Sequence, residues 1–174
     1  MRSIVVQNMK KIKRAVPAIE NKVKVKIGFG KDRVSVRGAE LNEFLVEKII
    51  LAIDFGFDID DALLLLNEEF VLEFIEVKEH TRRKNLKDVR SRIIGREGKA
   101  KRTIEKLTGS CIVIKDNRIG LIVDADHLSA TVQGIEGLIG GSKHGNVFGF
   151  LERQGSKVSR GDEDLGLKEG ALSS

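Results

Sequence analysis

The chain has 174 residues, 41% hydrophobic and 33% charged, with 31 Lys and Arg against 26 Asp and Glu for a formal net charge of +5. That length suits one compact domain or two small ones sharing an interface, and it excludes most large enzyme folds. The lone Cys111 excludes a disulfide framework and a cysteine-based zinc site; lysines and arginines break up the N-terminal segment and no run nears the ~20 apolar residues of a membrane span, so a cytoplasmic protein with no membrane partner is expected.

In chain order, VVQNMKKIKRAVPAIENKVKVKI places Ile12, Val16 and Ile19 at helical spacing and then alternates Val23, Val25 and Ile27. This predicts a basic amphipathic helix followed by a strand, with Pro17 bending and interrupting the helix. Turn residues at 28–32 lead into a second strand, KDRVSVRG, and AELNEFLVEKIILAI reads as a long helix. Asp60, Asp61, Ala62 and a leucine run predict a short helix, and a strand follows at 71–77. After HTRRKN, Asn85 is the expected N-cap of a helix burying Leu86, Val89 and Ile93. A glycine turn, Gly95-Arg96-Glu97-Gly98, then opens a basic helix carrying Ile104 and Leu107. Alternation at Cys111 and Val113, a turn at 116–118, another strand and the long helix ADHLSATVQGIEGLI complete the pattern.

The order helix, strand, turn, strand, long helix thus occurs twice, and the second copy is preceded by a further strand and helix. This is an α+β pattern. The expected organisation is 1–68, 69–153 and a tail at 154–174 whose Gly, Ser and charge without periodicity predict disorder.

Charge is concentrated. Residues 78–102 hold eleven Lys or Arg against Glu79, Asp88 and Glu97, a local +8, so the rest of the chain carries −3. Such focus around a glycine turn fits a polyanion partner, although a basic run alone is more often a solvated helix face. Gly95 closes one helix and Gly98 opens the next, so both can take turn dihedrals and let backbone touch a phosphate. The N-terminal amides of the second helix then face the same anion. Arg92, Arg96, Lys99, Lys101 and Arg102 surround the turn with positive charge.

A glycine-x-x-glycine turn between two helices, with Ile-Ile before it and Thr-Gly and a strand after it, resembles the KH fold, a single-strand RNA- or DNA-binding module. RIIGREGKAKRTIEKLTG (92–109), with HGNVFGFLER (144–153) and GFDIDDALLLL, resembles more closely the archaeal KH proteins of the "partner of Nob" family, involved in small-subunit ribosome biogenesis. The resemblance spans about residues 33–153. It implies two tandem KH-like units of type I, each a three-stranded antiparallel sheet packed by helices. The first is expected to be degenerate, because Gln7, Asn8, Met9 and Lys10 stand where the glycine turn belongs. It also implies an RNA site formed by Arg92, Ile94, the turn residues Gly95, Arg96, Glu97 and Gly98, and Lys99, Lys101, Arg102, Ile112 and Ile114. Lys101 departs from the aliphatic residue usual in KH modules and makes the groove more basic.

Other chemistries fit less well. GREGK lacks the spacing and the Ser or Thr of a nucleotide P-loop, and Asp54-Phe55-Gly56 has none of the accompanying kinase motifs. Asp58, Asp60 and Asp61 lack the glycine and final glutamate of a calcium loop, and His80, His127 and His144 share no metal-ligand spacing. No catalytic residue, cofactor or metal is expected. The expected function is binding of single-stranded RNA, by resemblance the 3′ region of small-subunit ribosomal RNA or its precursor, with a translation initiation factor or processing nuclease as a possible protein partner. The alternatives are a protein-interaction adaptor for which RNA contact is incidental, and an RNA-binding subunit of an exosome-type complex.

Overall fold

The structure, a computed structural model, describes residues 1–164. It contains two three-stranded antiparallel sheets with accompanying helices, a KH-like α+β arrangement. By contacts the chain forms two compact bodies. Residues Met1–Ile75 and Cys111–Ile122 make the first, and Glu76–Ser110 with the chain from Val123 onward makes the second.

In the first body, strand β1 (Arg2–Val5) precedes helix α1 (Met9–Lys22), strands β2 (Val25–Phe29) and β3 (Arg33–Gly38), and helix α2 (Glu40–Phe55). The sheet order is β1-β3-β2, with Ile4 opposite Val34 and Ile27 opposite Val36. Buried Ile12, Ala15 and Ile19 recur every three or four residues on α1, so one stripe faces the core while Lys10, Lys13 and Lys22 stay exposed and the half-buried Lys11 donates to the Gly56 carbonyl at 3.1 Å. The α2 residues Val46, Ile49, Ile50 and Ile53 fill the same core. Strand β1 went unpredicted, because four residues are too few for their period to show. Its pairing with β3 makes it a strand. Pro17 does not interrupt α1, which runs through it as one helix; the proline is exposed and costs a single backbone bond.

A short helix α3 (Ile59–Leu63) and a 3₁₀ turn lead to β4 (Phe70–Glu76), which shares a sheet with β5 (Cys111–Lys115) and β6 (Arg118–Asp124) in the order β4-β6-β5. This is the strand order of the first sheet, so the repeat read from sequence is also a repeat of topology. Ile119 through Ile122 are all buried, so both faces of β6 are covered. Phe55, Phe57 and Phe74 cluster on one face, with Phe55 and Phe74 edge-on at 4.9 Å between centroids. The Arg118 guanidinium lies 4.7 Å from the Phe74 ring centroid. Gly120 admits these rings, since a Cβ there would lie 2.7 Å from Phe55 and 2.8 Å from Phe57.

The second body is helical: α4 (Leu86–Ile94), α5 (Lys99–Thr108), α6 (Ala125–Gly140) and α7 (His144–Asp164). Asp124 caps α6 by accepting the Asp126 N–H at 2.8 Å. Helix α7 packs on α5 and α6, with Val147 and Leu151 buried and Leu151 set against Gly134. Residues 154–164, expected to be disordered, continue the helix. The remainder of the expected tail lies outside the described residues. No helix among the described residues is long and apolar enough to cross a membrane.

Two outcomes follow for stability. Gly120→Ala should cost about 1–3 kcal/mol by pushing the phenylalanine rings apart, read as a lower urea midpoint. Glu43 is buried on α2, where its carboxylate accepts the Gly38 N–H at 3.0 Å and pairs with the terminal amino group at 3.1 Å. These contacts, the Gly38 hydrogen bond first, hold its pKa below the ordinary glutamate value. Its stabilisation is therefore complete above the unfolded-state pKa and is lost as pH falls through the lowered folded value. Glu43→Gln should flatten that acid limb in melts recorded across pH.

Candidate nucleic-acid interface

Helix α4 begins where expected. The Asn85 side chain accepts the Asp88 N–H at 3.4 Å and its amide donates to the Asp88 carboxylate at 3.0 Å, a reciprocal cap. Val89 and Ile93 are buried and Leu86 half-buried. The helix ends at Gly95, whose N–H donates to the Ser91 carbonyl at 2.9 Å.

Gly95 takes φ +75°, Glu97 φ +54° and Gly98 φ +74°, so three of the four turn residues lie in the region that disfavours side chains. The two glycines differ in why they are needed. A Cβ on Gly95 would stand 2.6 Å from the Ala100 Cβ and 2.7 Å from its nitrogen, whereas near Gly98 only the Arg102 guanidinium comes within 4 Å, at 3.6 Å. Gly95 is therefore required by space and dihedral, Gly98 by dihedral alone. The α5 N-terminus has no side-chain cap; the Gly98 N–H turns back to the Gly95 carbonyl at 3.2 Å and the Lys99 N–H to the Arg96 carbonyl, so the turn presents the positive end of the α5 dipole to an external anion.

Around the turn, Arg96, Glu97, Lys99 and Arg102 are exposed, and Ile94 is an exposed aliphatic at 38%. Lys101 pairs with Glu105 at 3.5 Å, which partly offsets its charge. Arg92 has a structural task, because its guanidinium donates to the Ser142 carbonyl at 2.7 Å between α6 and α7. Ile112 and Ile114 belong to β5 in the first body, where Ile112 is buried and Ile114 half-buried.

Two residues near the turn were not among the expected site residues. His144 Nε2 lies 2.7 Å from the Arg92 carbonyl, and since a carbonyl only accepts, that ring nitrogen donates. The bond satisfies one of the open carbonyls at the end of α4. Phe148, one turn further along α7, lies against His144 with 5.9 Å between ring centroids. Their four-residue spacing within HGNVF was the available signal. Among the described residues, no cluster of His, Cys, Asp or Glu could hold a metal ion.

Gly98→Ala should destabilise by about 1–2 kcal/mol from its dihedral, and Gly95→Ala by about 1–3 kcal/mol more from the clash with Ala100. Chemical denaturation of both variants measures the difference.

Residues 71–156 match a family model described as eukaryotic type KH-domain (KH-domain type I). A KH domain-containing protein of Methanocaldococcus jannaschii is 30% identical over 158 residues, covering 87% of this chain and 70% of that protein. The pre-rRNA-processing protein PNO1 of Saccharomyces cerevisiae is 33% identical over 112 residues, covering 63% of this chain and 41% of that protein, so the chain spans less than half the length of that relative. The crystal structure of an a/eIF2alpha–aDim2p–rRNA complex from Pyrococcus horikoshii contains a chain with TM-score 0.79 and 27% identity, covering 90% of this chain and 94% of that one. The glycine turn opening an uncapped basic helix, together with the identity across most of the Methanocaldococcus relative, makes this chain a member of the KH-domain protein family to which the pre-rRNA-processing PNO1 proteins belong.

Proposed function

We propose that this protein binds single-stranded RNA through the turn 95–98 of its second KH unit and acts in pre-rRNA processing during ribosome biogenesis. One observation carries the reading: the uncapped N-terminus of α5 opens at a glycine turn within the +8 segment. The target is the 3′ region of small-subunit ribosomal RNA or its precursor. Ribosomal RNA as the target class is supported by the pre-rRNA-processing PNO1 relatives and by the similar chain in a complex with rRNA, and the 3′ region of the small-subunit RNA is the finer part of the proposal. Arg96, Lys99 and Arg102 supply charge around a phosphate at the positive end of α5, Lys101 adds to it, and Ile94 offers an apolar wall to an unstacked base. The protein works by binding, without catalysis.

The first KH unit does not take RNA in the same way. It passes from β1 to α1 without a glycine turn, and the Asp54 carboxylate already accepts the N–H groups of Gln7 at 2.8 Å and Asn8 at 2.6 Å. A carboxylate thus occupies the position an RNA phosphate would need and repels one. Its exposed Phe29, Leu41, Phe44 and Leu51 favour a protein-docking role, with a translation initiation factor or a processing nuclease as the partner.

Replacing Arg96 and Glu97 by two aspartates should abolish most binding to single-stranded RNA while circular dichroism stays unchanged. Unaltered affinity in that variant would overturn the assignment. If about four to six phosphates are neutralised, the log-log salt slope should be about −3 to −4 at ~0.7 per phosphate. A matched duplex should bind far more weakly, as only splayed bases enter such a groove.

A further inference from the structure

Beside the turn, the second body holds a cleft of about 330 Å³ lined by Gly95, Arg96, Lys99 and Thr103 on one side and by His144 and Phe148 of α7 on the other. Lys99 and Thr103 are four residues apart and share a face of α5. Lys101 lies about 200° further round from Lys99 at ~100° per residue. The cleft therefore opens on the Arg96 and Lys99 side of the turn, away from Lys101.

Its walls have the chemistry of a base site. The half-buried Phe148 supplies an aromatic surface, and His144 is anchored by its hydrogen bond to the Arg92 carbonyl. Both therefore come ordered, with little rotamer entropy left to lose. Arg96 and Lys99, exposed at the rim, belong to the same cationic surround as the turn. The start of α5 and the Phe148 ring line the same cleft, so a phosphate at the first and a base at the second can belong to one strand.

We propose that this cleft receives one unstacked base of the bound RNA, laid against Phe148, so that α7 adds a stacking site to the turn. The inference rests on the reading of the turn as the phosphate site. Rim charge selects a polyanion over an apolar peptide, and the volume admits a single nucleoside and excludes a duplex. Stacking on an aromatic ring tolerates any base, so the site would contribute affinity and register more than sequence choice.

The test uses the full chain and mixed-sequence single-stranded RNA oligonucleotides carrying the fluorescent base 2-aminopurine at each position in turn. The chain has no Trp or Tyr, so the emission belongs to the probe. Binding should quench the probe strongly at one position. Phe148→Leu should remove that quenching and weaken binding roughly 5- to 100-fold, while Phe148→Tyr retains both. If Phe148→Leu matches the wild type in affinity and quenching while the Arg96 and Glu97 aspartate variant loses binding, the cleft takes no base and the turn keeps its role. Uniform quenching at every position of the wild-type complex would also overturn the stacking site, without depending on how any variant folds. If the aspartate variant binds as the wild type does, the phosphate site itself is wrong and this inference falls with it.

Discussion

The reversal from α4 into α5 depends on residue 95 having no side chain. With a Cβ it would come within 2.6 Å of the Ala100 Cβ, and the chain would have to open at the point where the two helices meet. The close approach aims the start of α5 outward, and the positive φ values at 95, 97 and 98 complete the turn. The Arg102 guanidinium near Gly98 and the exposed cations on either side follow from that geometry.

The two KH-like units share a topology and differ in what meets the backbone ahead of their basic helices. Both sheets have the same strand order, and in each a basic helix precedes the hairpin. In the first, Asp54 at the end of α2 supplies the negative charge that the backbone amides before α1 call for, within 2.6–2.8 Å. In the second, the start of α5 has no such internal acceptor among its side-chain caps. A helix N-terminus satisfied by its own carboxylate gains stability and loses a ligand site; one left open does the reverse.

Helix α7 anchors the region around the turn. Arg92 donates to Ser142, and His144 donates to the Arg92 carbonyl, so residue 92 is held through both its side chain and its backbone. These bonds tie the end of α4 to the α6–α7 connection and limit movement of the turn that follows it. Arg92 is thus more a structural strut than a mobile phosphate contact, although composition alone places it with the other cations of the basic segment.

By itself the sequence determined the features that depend on near neighbours. The Asn85 cap, the stripe of Val89 and Ile93, the hairpin turn after Lys115 and the need for glycine at 95 and 98 were all legible, because spacing and backbone dihedrals are local. The repeated order of elements was legible for the same reason. Tertiary structure decided the rest. Strand β1 is too short to show a period and exists by pairing with β3; α7, packed on α5 and α6, extends past residue 153. The grouping of β5 and β6 with the first body rests on phenylalanines far from them in sequence, Phe55 and Phe57 against Gly120. Asp54 reaches Asn8 across 46 residues and His144 reaches Arg92 across 52. No local period or propensity encodes such meetings, because they depend on where the whole chain brings its distant parts together.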